Sequence, residues 1–396
     1  MTDILNALKT QDFPKCTQIA LCHIETLLAS CRSIPGLGDP QNELAHRITQ
    51  EYVFCQHVSR KGGLFKKLTA IQEIQLCELL LQHFGKQQDP SKLQALFNQL
   101  FDMKQEPYRL DILCKMVSMA IGLKSAPVLN ATGAWLQIQG PSKPTSAVLV
   151  GALVLDYCQL IPDVVASLHA IIQISPRFTH SFLMAASMLY DLKDNKENNR
   201  IPPDSLVEVI TDWLASEPSI CYPGKHSTPR QAPSRPSGLW NPGIDVEPDL
   251  GPESPIPGFV NWCVRAPLIY NQDYLKLHPG SSIETLKKTT ILYSKLHLAL
   301  LHTIHLYGKQ KAPPSGELLR NTHMLQIASN LGVLIGKNKD MEVDLVDVTL
   351  DRLAQIYQVA MATGAMKYSK DDITKIVHML PSNKLFEAMA EFTVGH

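Results

Sequence analysis

At 396 residues, with 45 % hydrophobic and 7 % aromatic side chains, the chain can hold two or three domains of about 150 residues, or one helical solenoid, around a sizeable core. Its 37 Lys and Arg balance 37 Asp and Glu, which argues against nucleic acid as the main partner, because phosphate binders carry a basic excess. Nine cysteines without a C-x-x-C pair, an acid at position 3, and a longest apolar run (AVLVGALVL, 147–155) far short of the about 20 residues of a membrane span predict a soluble intracellular protein with reduced thiols.

The first helix is predicted over 16–33, with Ile19, His23, Ile24, Leu27 and Leu28 on one side; Pro and Gly in SIPGLGDP (33–40) end it. A second is predicted over 41–58. RKGGLFKK (60–67) carries four positive charges and reads as a solvated loop, with a nuclear import signal or a phosphate contact as the functional alternative. From 68 to 216 helix follows helix. Ile71, Ile74, Leu76, Leu79 and Leu80 build the one over 69–84. Asp89-Pro90 starts the next: the Asp side chain caps free N–H groups, and Pro sits in the first turn, where its missing N–H costs nothing. The same device recurs at Ile161-Pro162-Asp163, Ser175-Pro176 and Pro202-Pro203-Asp204. No period-two run bounded by Asn-Gly or Asp-Gly turns marks a strand. The expected fold is all-α: an elongated stack of antiparallel helix pairs, a HEAT-like solenoid with spacing too irregular for a fixed repeat code.

Composition changes at 217–257, where prolines recur too often for a helix to continue. Lys225, Arg230 and Arg235 come first, and Asp245, Glu247, Asp249 and Glu253 follow. A disordered surface loop is expected there, or alternatively a docking segment anchored by Leu239 and Trp240. It would divide an N-terminal helical half, 1–216, from a C-terminal one, 258–396. That second half opens with FVNWCVRAPLIY (259–270). A helix over 283–307 lines up Leu286, Tyr293, Leu296, Leu300, Ile304 and Tyr307; Leu292, Leu298 and Leu301 coat its other sides, predicting a buried central helix. Another helix is expected over 315–335. Ser369 and Asp372 make a capping box for 370–380, and 383–392 closes the chain.

The stretch 342–366, EVDLVDVTLDRLAQIYQVAMATGAM, is a helix with a main apolar stripe of Val343, Val346, Leu350, Leu353, Tyr357, Met361 and Gly364. Leu345, Ile356, Val359 and Thr363, with Arg352 among them, make a second, smaller stripe. Either a neighbouring helix of the same chain covers it, with 315–335 or 370–380 as candidates, or part of it is a docking face in the helix-in-groove manner. Arg352, Ile356, Val359 and Thr363 are therefore the candidate partner-binding residues.

Chemical motifs are sparse. Gly332-x-x-x-Gly336-Lys337-Asn338 is one residue short of a phosphate loop, has Asn where Ser or Thr would hold magnesium, and follows no strand. His302 and His305 can share a helix face, but His297 lies about 140° from His302, and no acid or Cys completes a zinc set. No G-x-S-x-G, H-E-x-x-H, G-x-G-x-x-G or paired-carboxylate motif occurs, so neither an enzyme nor a cofactor is expected.

LDRLAQIYQVAMATGAM (350–366), ILYSKLHLALL (291–301), WCVRAPLIY (262–270), SPRF with LYDL (175–178, 189–192) and KMVSMA (115–120) together resemble the Integrator complex subunit 15 family. They come in the family's order and cover most of the chain from about residue 70; the first 60 residues and 218–257 carry little of the likeness. The resemblance implies a non-catalytic scaffold subunit of a nuclear assembly that cleaves nascent RNA and attenuates RNA polymerase II transcription, with a part in termination and small nuclear RNA 3′-end processing. It implies association with the module of subunits 10, 13 and 14, and places the endonuclease and phosphatase in other subunits. No membrane and no small-molecule substrate are expected. Two rival readings stay open: a helical-repeat nucleic-acid-binding protein, for which only 60–67 offers a basic stripe, and an enzyme built from dispersed residues.

Overall fold

A computed structural model describes residues 2–30, 40–58, 64–66, 68–101, 107–160, 162–191, 201–226, 254–277, 283–310, 317–338 and 341–394. Among the described residues the regular structure is helical apart from one small hairpin, and contacts group the chain into two units: Met1–Gln139 with Gln173–Phe178, and Gly140–Ile172 with Thr179–His396.

The first unit holds α1 (Thr2–Lys9), α2 (Lys15–Ser30), α3 (Pro40–Ile48), strands β1 (Gln56–Val58) and β2 (Leu64–Lys66), then α4 (Ala70–Lys86), α5 (Pro90–Leu100), α6 (Pro107–Gly122) and α7 (Ala126–Gln139). The helix expected over 41–58 stops early. After α3 one wide turn runs over Thr49–Val53, Cys55 takes a left-handed φ of 49°, and the chain leaves as β1. β1 pairs antiparallel with β2, in register Gln56↔Lys66, His57↔Phe65, Val58↔Leu64. Three-residue strands are too short to leave a periodic pattern, which is why the sequence did not signal them. Part of the basic 60–67 stretch is thus strand; 60–63 and 67 lie outside the described residues.

Helix starts follow the side chains present. Asp89 accepts from the N–H groups of Ser91 and Lys92, and Thr69 and Gln72 form a capping box at the start of α4. The core is an aromatic run: Phe84 against Phe97, Phe97 against Phe101 and Phe101 edge-on to Phe54, with centroids 5.0–5.9 Å apart. Trp135 Nε1 donates to the Phe101 carbonyl at 2.7 Å, so the largest ring is buried without an orphaned donor. Ser175 Oγ donates to Asn130 Oδ1 at 2.7 Å and accepts from the Phe178 N–H, fastening 173–178 to α7.

The second unit contains α8 (Pro144–Val154), α9 (Val165–His169), α10 (Ile171–Ile174), α11 (Pro176–Leu189), α12 (Asp204–Ser216), α13 (Ile256–Leu277), α14 (Ile283–Gly308), α15 (Asn321–Lys337), α16 (Val343–Ala362), α17 (Lys370–Met379) and α18 (Lys384–Val394); the last residues of α10 and the first of α11 belong to the first unit. α14 is the hub, packed against α12, α13 and α16. Tyr293, Leu296, Leu300, Ile304 and Tyr307 are buried as the stripe predicts. Leu298 is not: it is 64 % exposed, so α14 keeps one open face instead of being buried all round. Apolarity on a helical wheel marks what could be covered, while coverage depends on how many helices are available to pack.

Both ends of the Pro-rich segment belong to the packed unit. Pro218–Cys221 form a tight helical turn with Ile220 and Cys221 buried. Tyr222 stacks edge-on against Tyr307 at 5.1 Å, and Ser254 Oγ donates to the Cys221 carbonyl at 2.9 Å. Ile256 is fully buried at the start of α13. Residues 227–253, with Leu239 and Trp240, lie outside the described residues.

Candidate functional site

Two of the four residues singled out on α16 are core. Arg352 and Ile356 are buried; Val359 and Thr363 are half-buried. Their cover comes from α13 and α14, not from α15 or α17 as the sequence suggested. Both Arg352 and Ile356 are used inside the chain, and Val359 and Thr363 are the two of the four that keep partial exposure. The main stripe is buried at Leu350, Leu353 and Tyr357, but Val343 at its start is 70 % exposed.

Arg352 is the centre of a polar node. Its Nη2 donates to Ser294 Oγ at 2.7 Å and to the Thr290 carbonyl at 3.3 Å, both on α14, and its Nη1 lies 3.5 Å from the Cys263 carbonyl of α13. Pro267 explains why that carbonyl is available. It sits inside α13 and has no N–H to give to the carbonyl four residues earlier, which is that of Cys263. A guanidinium buried in low dielectric needs acceptors in a fork geometry, and the proline supplies one. Among the described residues no ion pair with a carboxylate is formed by Arg352; neutral oxygens solvate it.

The node shapes its neighbours' chemistry. Burial, then the Arg352 charge, pushes the His297 imidazole down to about 4, so it is neutral near pH 7. Burial pushes the Cys263 thiol up to about 12, with Arg352 opposing, so this cysteine is protonated and unreactive. The close approach of α16 to α14 ends at Gly308, where any Cβ would collide with the backbone and side chain of Thr363. Sequence reading found Arg352 but not its acceptors, which are 58 to 89 residues away. The usable signal was a proline in the middle of an apolar helix.

The other candidates separate. His297 is buried, whereas His302 and His305 are exposed. Among the described residues no group of three or more His, Cys, Asp or Glu is placed to hold a metal ion. Gly332, taken from the phosphate-loop look-alike, lies in α15 where it packs against the Met379 carbonyl at the end of α17. Among the described residues no helix is long and apolar enough to cross a membrane.

Fold and node together define an α-helical protein of two units whose characterised buried polar groups hold helices to one another. The profile of the Integrator complex subunit 15 family matches residues 2–382, and the chain belongs to that family. The match includes the first 60 residues, where the motifs are weak. Integrator complex subunit 15 of Mus musculus is 31 % identical over 415 residues, covering 98 % of this chain and 86 % of the mouse protein. The Homo sapiens protein of that name is 31 % identical over 418 residues with the same coverage. The Drosophila melanogaster one is 26 % identical over 395 residues, covering 97 % and 95 %.

Three of the stretches that carry the resemblance meet at the node. WCVRAPLIY supplies Cys263 and Pro267, ILYSKLHLALL supplies Ser294 and His297, and LDRLAQIYQVAMATGAM supplies Arg352.

Proposed function

We propose that this chain is a non-catalytic helical subunit of a nuclear Integrator assembly, joined to the module of subunits 10, 13 and 14. In that role it supports attenuation and termination of RNA polymerase II transcription and 3′-end processing of small nuclear RNA. The observation that carries the reading is the family match along nearly the whole chain. The node supports it: the residues that carry the resemblance build a joint between helices, as a scaffold requires. The nuclease and phosphatase chemistry is assigned to other subunits.

Affinity purification of the tagged full-length chain from nuclear extract, with mass spectrometry of the co-purified proteins, tests this. Integrator subunits, with 10, 13 and 14 among them, are the expected result. Recovery of none of them would overturn the proposal.

A further inference from the structure

The open face of α14 has a composition of its own. At 100° per residue, Lys288, Ile291, Lys295, Leu298, His302 and Leu306 fall within an arc of about 80° on α14, with Lys309 one residue past its end, and the row runs for about 30 Å. Ile291 is 57 %, Leu298 64 % and Leu306 37 % exposed, and the three lysines are exposed between them. α14 carries one acid, Glu284 in its first turn, and none from 285 to its end at Gly308. The opposite face of the same helix carries Tyr293, Leu296, Leu300 and Ile304 into the core, so the helix is fixed in orientation and the outer stripe is presented rigidly.

Three large apolar side chains in line on a rigid helix, spaced seven and eight residues apart, suit a second helix laid along the first, with an apolar residue for each gap. The flanking lysines decide the partner's sign: a helix with acids beside its apolar row is attracted, while a basic one is repelled. We propose that this face of α14 is a docking surface for an acidic amphipathic helix of another protein. The proposal deepens the reading of the chain as an Integrator subunit, and rests on it, by naming the surface through which a fellow subunit is held.

Two other occupants fit less well. RNA would use the lysines but leave Ile291, Leu298 and Leu306 without a role, since phosphate recognition gains nothing from aliphatic side chains. A second copy offers the first turns of α16, where Glu342, Val343, Asp344, Asp347 and Val348 are exposed. That contact would join α14 of one molecule to α16 of another, and those turns expose only two valines among their acids, so they offer the three-residue row of α14 one apolar partner too few.

The test uses the tagged full-length chain in nuclear extract with and without nuclease, with a carbodiimide as the zero-length cross-linker between amines and carboxylates. Wild type is compared with Ile291→Asp/Leu298→Asp, with Lys295→Glu, and with Ile71→Asp/Ile74→Asp at the exposed positions of α4 as a control. Hydrogen exchange of α14 confirms that each variant is folded. The expected result is that wild type and the α4 control recover the same Integrator subunits, while the α14 variants lose at least one of them about 10-fold or more. Lys288, Lys295 or Lys309 should cross-link to Asp or Glu in a segment of that subunit with apolar residues at helical spacing. Undiminished recovery by the folded α14 variants overturns the assignment of the surface and leaves the Integrator reading standing. So do cross-links from these lysines that reach only carboxylates of this chain, whether in the same molecule or a second copy. Recovery that nuclease abolishes transfers the surface to RNA and overturns the proposal. A wild-type chain that recovers no Integrator subunit overturns the underlying reading and this one with it.

Discussion

Arg352→Met is the most informative single change, because it removes the charge while keeping most of the volume. The guanidinium makes two contacts on α14 and one long contact on α13. Hydrogen bonds to a charged group are worth about 1.5–3 kcal/mol net, and a stranded buried acceptor costs about 1–3 kcal/mol. Against that, an apolar isostere no longer pays to desolvate a cation. Ser294 keeps its bond to the Thr290 carbonyl at 2.9 Å, so the Cys263 carbonyl is the acceptor left stranded. We expect a loss of about 2–4 kcal/mol, felt in α13, α14 and α16. Pro267→Ala restores an N–H to that carbonyl. The double variant should therefore be about 1–2 kcal/mol more stable than the sum of the single changes. Hydrogen exchange of the amides in the three helices, with urea unfolding of the full chain, measures both numbers. Additivity within about 0.5 kcal/mol would refute the coupling of Pro267 to Arg352 through Cys263.

Leu353→Ala should cost about 2–5 kcal/mol in thermal or urea unfolding, since the side chain is 1 % exposed and its loss leaves a cavity. Ile356→Asp should prevent folding of the second unit, by circular dichroism, because a carboxylate would be buried without a partner. The second unit should weaken in acid: unfolded His297 takes up a proton near the usual 6.5 but the folded one only near about 4, so stability is full above that window, falls as pH drops through it at about 1.4 kcal/mol per unit, and levels below it. His297→Gln should flatten the slope of unfolding free energy against pH. Replacing 221–256 by a Gly/Ser bridge should lower the melting temperature by several degrees, because it deletes buried Cys221, Tyr222, Ser254 and Ile256.

What the sequence revealed was local. Asp89-Pro90 and the Ser369–Asp372 capping box state where helices begin through bonds that span three residues or fewer, and the structure has both. The main stripe of α16 was legible at Leu350, Leu353 and Tyr357, because burial there needs only some neighbour. Which neighbour was not legible. The packing of α12 on α14 spans the Pro-rich segment, and composition alone suggested a division at that point. Arg352 showed the same limit: its place among apolar residues was visible, but its acceptors are set by the tertiary meeting of α13, α14 and α16. The early end of α3 depended on a left-handed Cys55, a residue type that gives no warning of that conformation.

The long separation closed by Arg352 has a consequence during synthesis. Cys263 and Arg352 are 89 residues apart, and α13 and α14 leave the ribosome well before the side chain that ties them. At roughly 5–20 residues per second, the buried face of α13 waits on the order of 5–20 s for α16. The first unit is complete once Phe178 has emerged. The second is the part of the nascent chain whose apolar faces stay uncovered longest, and a chain truncated before residue 352 would leave the surface of α13 and α14 that faces α16 uncovered.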